Sequence, residues 1–434
     1  MSRILLLFIA LGYTASLSAA QLVYTNVQIV DPESKRIQKG SIFVEDGKVT
    51  KITNGVLKSV KGLQTIDLEN RYIIPGLFDM HTHAWGNPKP TGSPMILGIE
   101  GAAKVMLYSG ITGFLDLLSL EGEIFALRNK QQTEGLTAAD IYAAGPCLTS
   151  PGGHCSEFPI PTRIIDSPAG GAAEIGELAK LNPNVVKIVY DHAIPNVPTI
   201  TLETLKATLK ATNEKGIPSV VHIGTWQNAR EAIEAGATAV THIYHEPIPD
   251  DVVQLAKIKK TVFIPTLGVQ RTLLDIVEDP NLLNDTFLQE LTTEEFLTDY
   301  EKIDLNNPRW KFYIEFMRKN RATNADSVKK LIDAGVTILP GTDIGNPGTF
   351  VGYSLHRELQ LLVNGGMSTW EVLKGATIDS ANFLGQKYGF KPGASANFVV
   401  LDSSPIDSIE ATKSIVNVIY KGRIIDRDKL KKWK

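Results

Sequence analysis

Cysteine is nearly missing from this chain: Cys147 and Cys155 are the two it has in 434 residues. Two thiols cannot staple a fold of this length. They are close enough in sequence to close a small loop, and a disulfide and two unpaired thiols both remain open. Thiolate metal ligation is disfavoured, because histidines and carboxylates elsewhere make a full ligand set. An excess of one charge is also lacking. The formal net charge is -3, which points to neither a nucleic-acid nor a polyanion partner. Beyond the N-terminus no apolar run is long enough to span a bilayer. There is no internal repeat and no low-complexity tract.

What is present begins with a leader pattern. Arg3 precedes the apolar run "ILLLFIALGY", and small residues follow in "TASLSAA". A positive start, a short apolar core and small residues are the marks of a secretory signal. We therefore expect residues 1–20 to be a signal peptide cleaved after Ala20, with Ala19 as the neighbouring site. The mature chain is then expected to be exported, periplasmic or secreted, and free of membrane.

The length suits one large barrel plus a minor domain. Residues 21–70 read as short strands, such as "LVYTNVQIVD" and "GSIFVEDGKVTKIT", rich in β-branched residues and broken by turns such as "EDGK". Residues 391–434 have the same texture in "ANFVVLDSS" and "SIVNVIYKGRII". Two such ends suggest one discontinuous small β-domain. The middle, 71–390, alternates eight strand-like runs with helical periodicity, from "YIIPGLFDM" to "VTILPGTDIG". That alternation is the signature of a (β/α)8 TIM barrel, an α/β fold. An open doubly wound sheet is the weaker alternative, since no glycine-rich fingerprint follows the first strand. Residues 147–170 and the helical stretch 271–330 exceed ordinary connections, and long inserts at this face shape substrate pockets.

The polar residues gather where these strands end. His81 and His83 end the first middle strand in "PGLFDMHTH", and alternation puts both on one face. His222 ends "SVVHIG", His242 lies in "AVTHIYH", and Asp343 ends "LPGTDIG". A lone histidine on an apolar strand is more often a satisfied core residue. Four at equivalent strand ends fit the core reading poorly and suit zinc-like ions. Lys187 stands among apolar neighbours in "NVVKIVYD". Burial lowers a lysine's pKa, and a neutral amine can take up carbon dioxide as a carbamate. On chemistry alone, that reading and a lysine reaching solvent or pairing with Asp191 weigh equally. His154 lies in the loop "TSPGGHCSEF", where glycines let backbone approach a ligand. Tyr190, His192, Tyr244 and His245 follow the ligand candidates at strand ends, as substrate contacts or as support. His356, in "LHREL", reads as structural.

This ordered set resembles the amidohydrolase superfamily. "PGLFDMHTH" is similar to its opening strand, Lys187 to its carboxylated lysine, His222 and His242 to its later histidines, and Asp343 to its final aspartate. "EVLKGATIDSANFLG" and "KPGASANFVVLD" resemble its closing pattern, and the β-rich ends its composite β-sandwich. The likeness is strongest to the imidazolonepropionase-related branch that includes prolidase-like and other Xaa-amino-acid dipeptidases. Several of those carry a tyrosine after the strand-five histidine, where this chain has Ile223. The resemblance implies two divalent ions, zinc foremost. His81, His83 and Asp343 would hold one, His222 and His242 the other, with carboxylated Lys187 bridging. It implies a metal-activated hydroxide cleaving an amide bond in a small molecule, such as a dipeptide. Asp343 would be catalytic as the proton shuttle. His154, read from its own glycine-rich loop, is either a catalytic imidazole at the oxyanion or a surface histidine. A cyclic amide or lactone hydrolase, and an inactive metal- or ligand-binding protein, are the alternatives. The sequence leaves open whether the chain forms a homo-oligomer.

Overall fold

The computed structural model describes residues 21–87, 89, 95–158 and 160–431; the expected signal peptide lies outside the described residues. Both chain ends enter one eight-stranded sheet. Its order runs Arg423–Ile424, Ile415–Tyr420, Phe398–Leu401, Tyr72–Pro75, Leu22–Asp31, Arg36–Glu45 and Lys48–Asn54, with Gln64–Asp67 also pairing with Leu22–Asp31. The "EDGK" turn joins two of these strands. Asp46 and Gly47 both have positive φ, 49° and 71°, the turn that matches the twist of paired strands. Ile29, Ile42, Ile73, Phe398 and Ile419 fill the core on this sheet.

The run expected as one strand, "YIIPGLFDM", is two. Tyr72–Pro75 completes the sheet just described, and Leu77–Thr82 opens the barrel. Gly76 is the hinge between them, packed so tightly that a Cβ there would overlap the Thr112 side chain.

The barrel strands are Leu77–Thr82, Ile111–Asp116, Asp140–Ala143, Val186–Tyr190, Ser219–Ile223, Ala239–Thr241 and Val262–Ile264, all parallel to their neighbours. The eighth staves are residues 337–344, which bridge Phe263 through Ile338 and Thr82 through Ile344. Asn184 N–H donates to Ala143 O at 2.9 Å, joining third and fourth strands. One apolar cluster draws on all eight: Phe78, Met80, Leu115, Tyr142, Val185, Val220, Ala239, Ile264 and Leu339. This plug fills the barrel and forms the floor under the strand ends. Opposite-parity residues Val186, Ile188, Val221 and Val240 face outward. They join Leu205, Leu209, Ala229, Ile233 and Val252 of the surrounding helices.

Helices start where the chain offers caps. Thr201 and Thr225 accept from Thr204 N–H and Asn228 N–H at the heads of Leu202–Glu214 and Trp226–Glu234. The insert at 271–330 is helical as expected and ends in the long helix Pro308–Asp333. Among the described residues no helix is long and apolar enough to cross a membrane.

Candidate metal centre

Strand alternation builds the site directly on the plug. Val185, Val220 and Ala239 belong to the plug, and two residues further along each strand stand Lys187, His222 and Thr241. His81 and His83 come from the first strand, and Asp343 arrives from the eighth with its N–H donating to His81 O at 2.7 Å. Two of these positions use backbone that non-glycine residues avoid. His242 has φ 77° and Asp343 φ 58°, conformations costing roughly 1–3 kcal/mol each. The left-handed turns swing both side chains inward over the strand ends. Gly345 (φ 108°) lets the chain pass His83, since a Cβ there would lie 2.8 Å from the His83 Cβ.

The result is a cavity of about 230 Å³ into which His81, His83, His154, Lys187, His222, His242 and Asp343 all open. His83 Nε2 lies 3.0 Å and His81 Nε2 3.4 Å from Asp343 Oδ1. Ligand atoms of these three residues lie within 4.8 Å of one another. The His222 and His242 rings are 4.5 Å apart, and His81 and His242 5.0 Å. Lys187 Nζ is 3.5 Å from His81 Nε2.

Each of three imidazoles has one nitrogen engaged and the other turned to the group. The Thr241 hydroxyl donates to Ile264 O, so it accepts from His81 Nδ1–H at 2.7 Å and leaves Nε2 as a lone pair. The Asp191 carboxylate accepts from His222 Nε2–H at 3.0 Å, which frees Nδ1. Thr266 Oγ1 meets His242 Nδ1 at 2.8 Å. Such partners orient ligand histidines and hold their tautomer. Burial is the main reason His81 and His242 are held well below the usual imidazole pKa and His222 is lowered to about 4. These rings are therefore neutral and able to ligate. Burial likewise lowers Lys187, the condition for a neutral amine. For Asp191 burial acts upward, but the hydrogen bond and charge of His222 outweigh it and hold it below the usual carboxylate range. This donor set, nitrogen lone pairs and a carboxylate converging on one point, fits divalent cations.

The remaining expected residues fall into two groups. His154 lines the cavity, its ring 4.8 Å from that of His222, and its Nδ1 is 2.5 Å from Glu157 Oε1. Tyr190, His192, Tyr244 and His245 are outside the cavity lining. Tyr190 is three residues from Lys187, so alternation turns it to the helices, where its hydroxyl bonds Glu231 at 2.6 Å. His192 Nδ1 meets Asn228 Nδ2 at 2.7 Å, Tyr244 packs on Trp226, and His245 on Phe316. Ile223 also faces outward, into the helix layer. His356 ties Thr412 and the Ser109 carbonyl together from a buried position. Asp191 pairs with His222 rather than with Lys187. Cys147 and Cys155 are both free and buried.

Several site residues carried no sequence signal. Gln270, Tyr313 and Asn346 reach the wall from the helical insert and the last loop. Thr241 and Thr266 looked like ordinary strand residues. One signal was readable for Asp191: the glycine of "SVVHIG", Gly224, where a Cβ would overlap the Asp191 carboxylate.

A family model for the amidohydrolase family matches residues 72–425, and the chain belongs to that family. Among curated proteins it is 31% identical over 133 residues to an adenine deaminase of Desulfatibacillum aliphaticivorans, 29% of this chain and 21% of that protein. It is 28% identical over 151 residues to a dihydroorotase of Trichlorobacter lovleyi, 35% of this chain and 32% of that protein. The chain thus spans between about a fifth and a third of these relatives' lengths. The fold is shared with a solved Xaa-Pro dipeptidase, with TM-score 0.76 at 20% identity over 94% of this chain and 100% of the other. A putative prolidase from Bifidobacterium longum gives 0.73 at 21% over 94% and 98%. These solved neighbours establish a TIM-barrel-like fold.

Proposed function

We propose that this chain is an exported metal-dependent hydrolase that cleaves an amide C–N bond in a small molecule. The observation that carries the reading is the convergence of four histidines, Asp343 and Lys187 on one cavity, with ring nitrogens left free by Thr241, Asp191 and Thr266. Membership of the amidohydrolase family supports it, as do relatives named for deaminase and dihydroorotase activity and the shared fold of a dipeptidase.

His81, His83 and Asp343 would hold one divalent ion and His222 and His242 a second, most simply zinc, with Lys187 as a carbamate between them. Such ions, when bound, polarise a carbonyl and lower the pKa of water. The chain's own groups do the rest. Asp343 takes a proton from the attacking water and returns it to the leaving nitrogen. His154, its Nδ1 held by Glu157, is placed to stabilise the oxygen on which charge develops. Leu118, Phe158, Val269, Gln270, Tyr313 and Asn346 complete the wall, which suits an uncharged part of a substrate.

The test is a screen of the metal-loaded protein against dipeptides, N-acyl amino acids, cyclic amides and lactones, with metal counted per chain. Turnover of open-chain amides is expected. Preference for rings would move the assignment to a cyclic amide or lactone hydrolase. Tight binding with no product over long incubation would make it a binding protein. Export is tested by sequencing the N-terminus of the protein expressed from the full chain, which should begin at Gln21 or Ala20.

A further inference from the structure

The two cysteines are brought together at the wall of the metal cavity. Cys147 follows the third barrel strand, and its carbonyl accepts from Arg163 N–H at 2.9 Å. Cys155 sits in the turn immediately after His154 and lines the cavity beside Lys187. Both are buried in one small cluster with Leu118 and Val189, where burial and the neighbouring Cys155 push the Cys147 thiol's pKa up. Cys155 has φ 82°, a left-handed conformation that glycine adopts freely and other residues at a cost. A strained, non-glycine residue at a site is a reason to look for what its side chain does.

We propose that Cys147 and Cys155 are an oxidisable dithiol that closes to an intrachain disulfide, anchoring the turn that carries His154. The oxidant is a small disulfide or a thiol–disulfide oxidoreductase. Cys155, which faces the cavity, attacks one sulfur of the oxidant as its thiolate and releases one thiol. Cys147 then attacks the sulfur of Cys155 in the mixed disulfide, passing its proton to the departing thiolate, so that the Cys147–Cys155 bond forms and the second thiol is released. Two protein S–H bonds become one S–S bond. The two protons released from the protein thiols balance the two taken up by the leaving thiolates. Without the bond, the turn at 151–158 is tied to the strand end by apolar contact and short-range turn hydrogen bonds. With it, a loop of nine residues is covalently closed, which removes conformations from the open and unfolded chain. The dithiol stands on its own geometry; its effect on turnover rests on the hydrolase reading and on the role given to His154.

The experiment uses the metal-loaded full chain treated with oxidised glutathione, then with dithiothreitol. Oxidation should take the free-thiol count under denaturant from two to none and lower the intact mass by about 2 Da, for two hydrogens lost. Peptide mapping should join Cys147 to Cys155 within one chain. The thermal midpoint should rise by several degrees on oxidation and fall back on reduction, and a Cys147→Ser variant should show neither shift. Both thiols surviving oxidation, glutathione retained on either one, or disulfide-linked dimers would each overturn the proposal. For the anchoring role, oxidised and reduced protein should differ in kcat at equal metal content, and that difference should vanish in His154→Ala. Equal kcat in both states would refute anchoring. A protein without hydrolytic activity would fail the function reading and still return the thiol result.

Discussion

Asp191 makes the sharpest test of the metal centre, because it touches one ligand histidine and no other. Asp191 is 5% exposed, and its carboxylate accepts His222 Nε2–H at 3.0 Å. It also accepts Ala193 N–H at 2.7 Å. In Asp191→Ala the His222 N–H loses its acceptor inside a buried site, and the ring is free to turn and to exchange tautomers. Outer partners of ligand histidines are worth roughly 10- to 100-fold in metal affinity, about 1.4–2.7 kcal/mol. The loss should fall on one ion alone, since His81, His83 and Asp343 keep their own contacts. Asp191→Asn keeps an acceptor but not the charge and should lie between the variant and the parent. The assay is competition with a calibrated chelator, with metal counted per chain in protein whose thermal midpoint shows it folded. Unchanged affinity at both sites in folded Asp191→Ala would refute the idea that this carboxylate orients His222.

Lys187→Ala should lose metal and activity together, and bicarbonate with a short-chain carboxylic acid should restore part of both; normal metal content would remove the bridging role. His154→Ala should lower kcat about 100-fold or more with metal content intact, the scale of a lost oxyanion donor; unchanged kcat would rule the role out. Glu358 gives a pH dependence. It is buried with both oxygens accepting backbone N–H, from Leu267 at 3.0 Å and Gly268 at 2.6 Å, and burial raises its pKa from 4.5 to about 8. Across that window the folded chain keeps a proton that the unfolded chain releases. Its contribution to stability is therefore fullest below pH 4.5 and is lost as pH rises to about 8. Glu358→Gln should flatten that decline in thermal midpoint against pH; an unaltered slope would show that another group carries it.

The legible parts of this chain were those that depend on local periodicity. The alternation of strand-like and helical runs announced the barrel, because a strand buried on both faces and a helix with one apolar stripe have different periods. The same alternation put His81 and His83 on one face, and their place at a strand end, with that of His222, marked the site. Tyr190 was carried as a candidate contact, but it stands an odd step from Lys187, and the structure turns its hydroxyl to Glu231. The break at Gly76 was not legible. "YIIPGLFDM" is apolar throughout, and whether it forms one strand or two depends on which sheet edge each half meets.

The sequence by itself determined which donors stand above the barrel floor, for side-chain direction along an extended strand is set by the residue's own place in the run. Only the tertiary structure decided which nitrogen of each ring is free. That depends on Thr241, Thr266 and Asp191. Of these, Thr241 comes to His81 from a distant strand and Asp191 to His222 from the strand beside it. Strand neighbours are set by barrel closure and not by proximity in the chain. Closure likewise brought Tyr313 to the wall across an insert of helices. The fold of the short turn after the third strand set the thiol of Cys155 against that of Cys147.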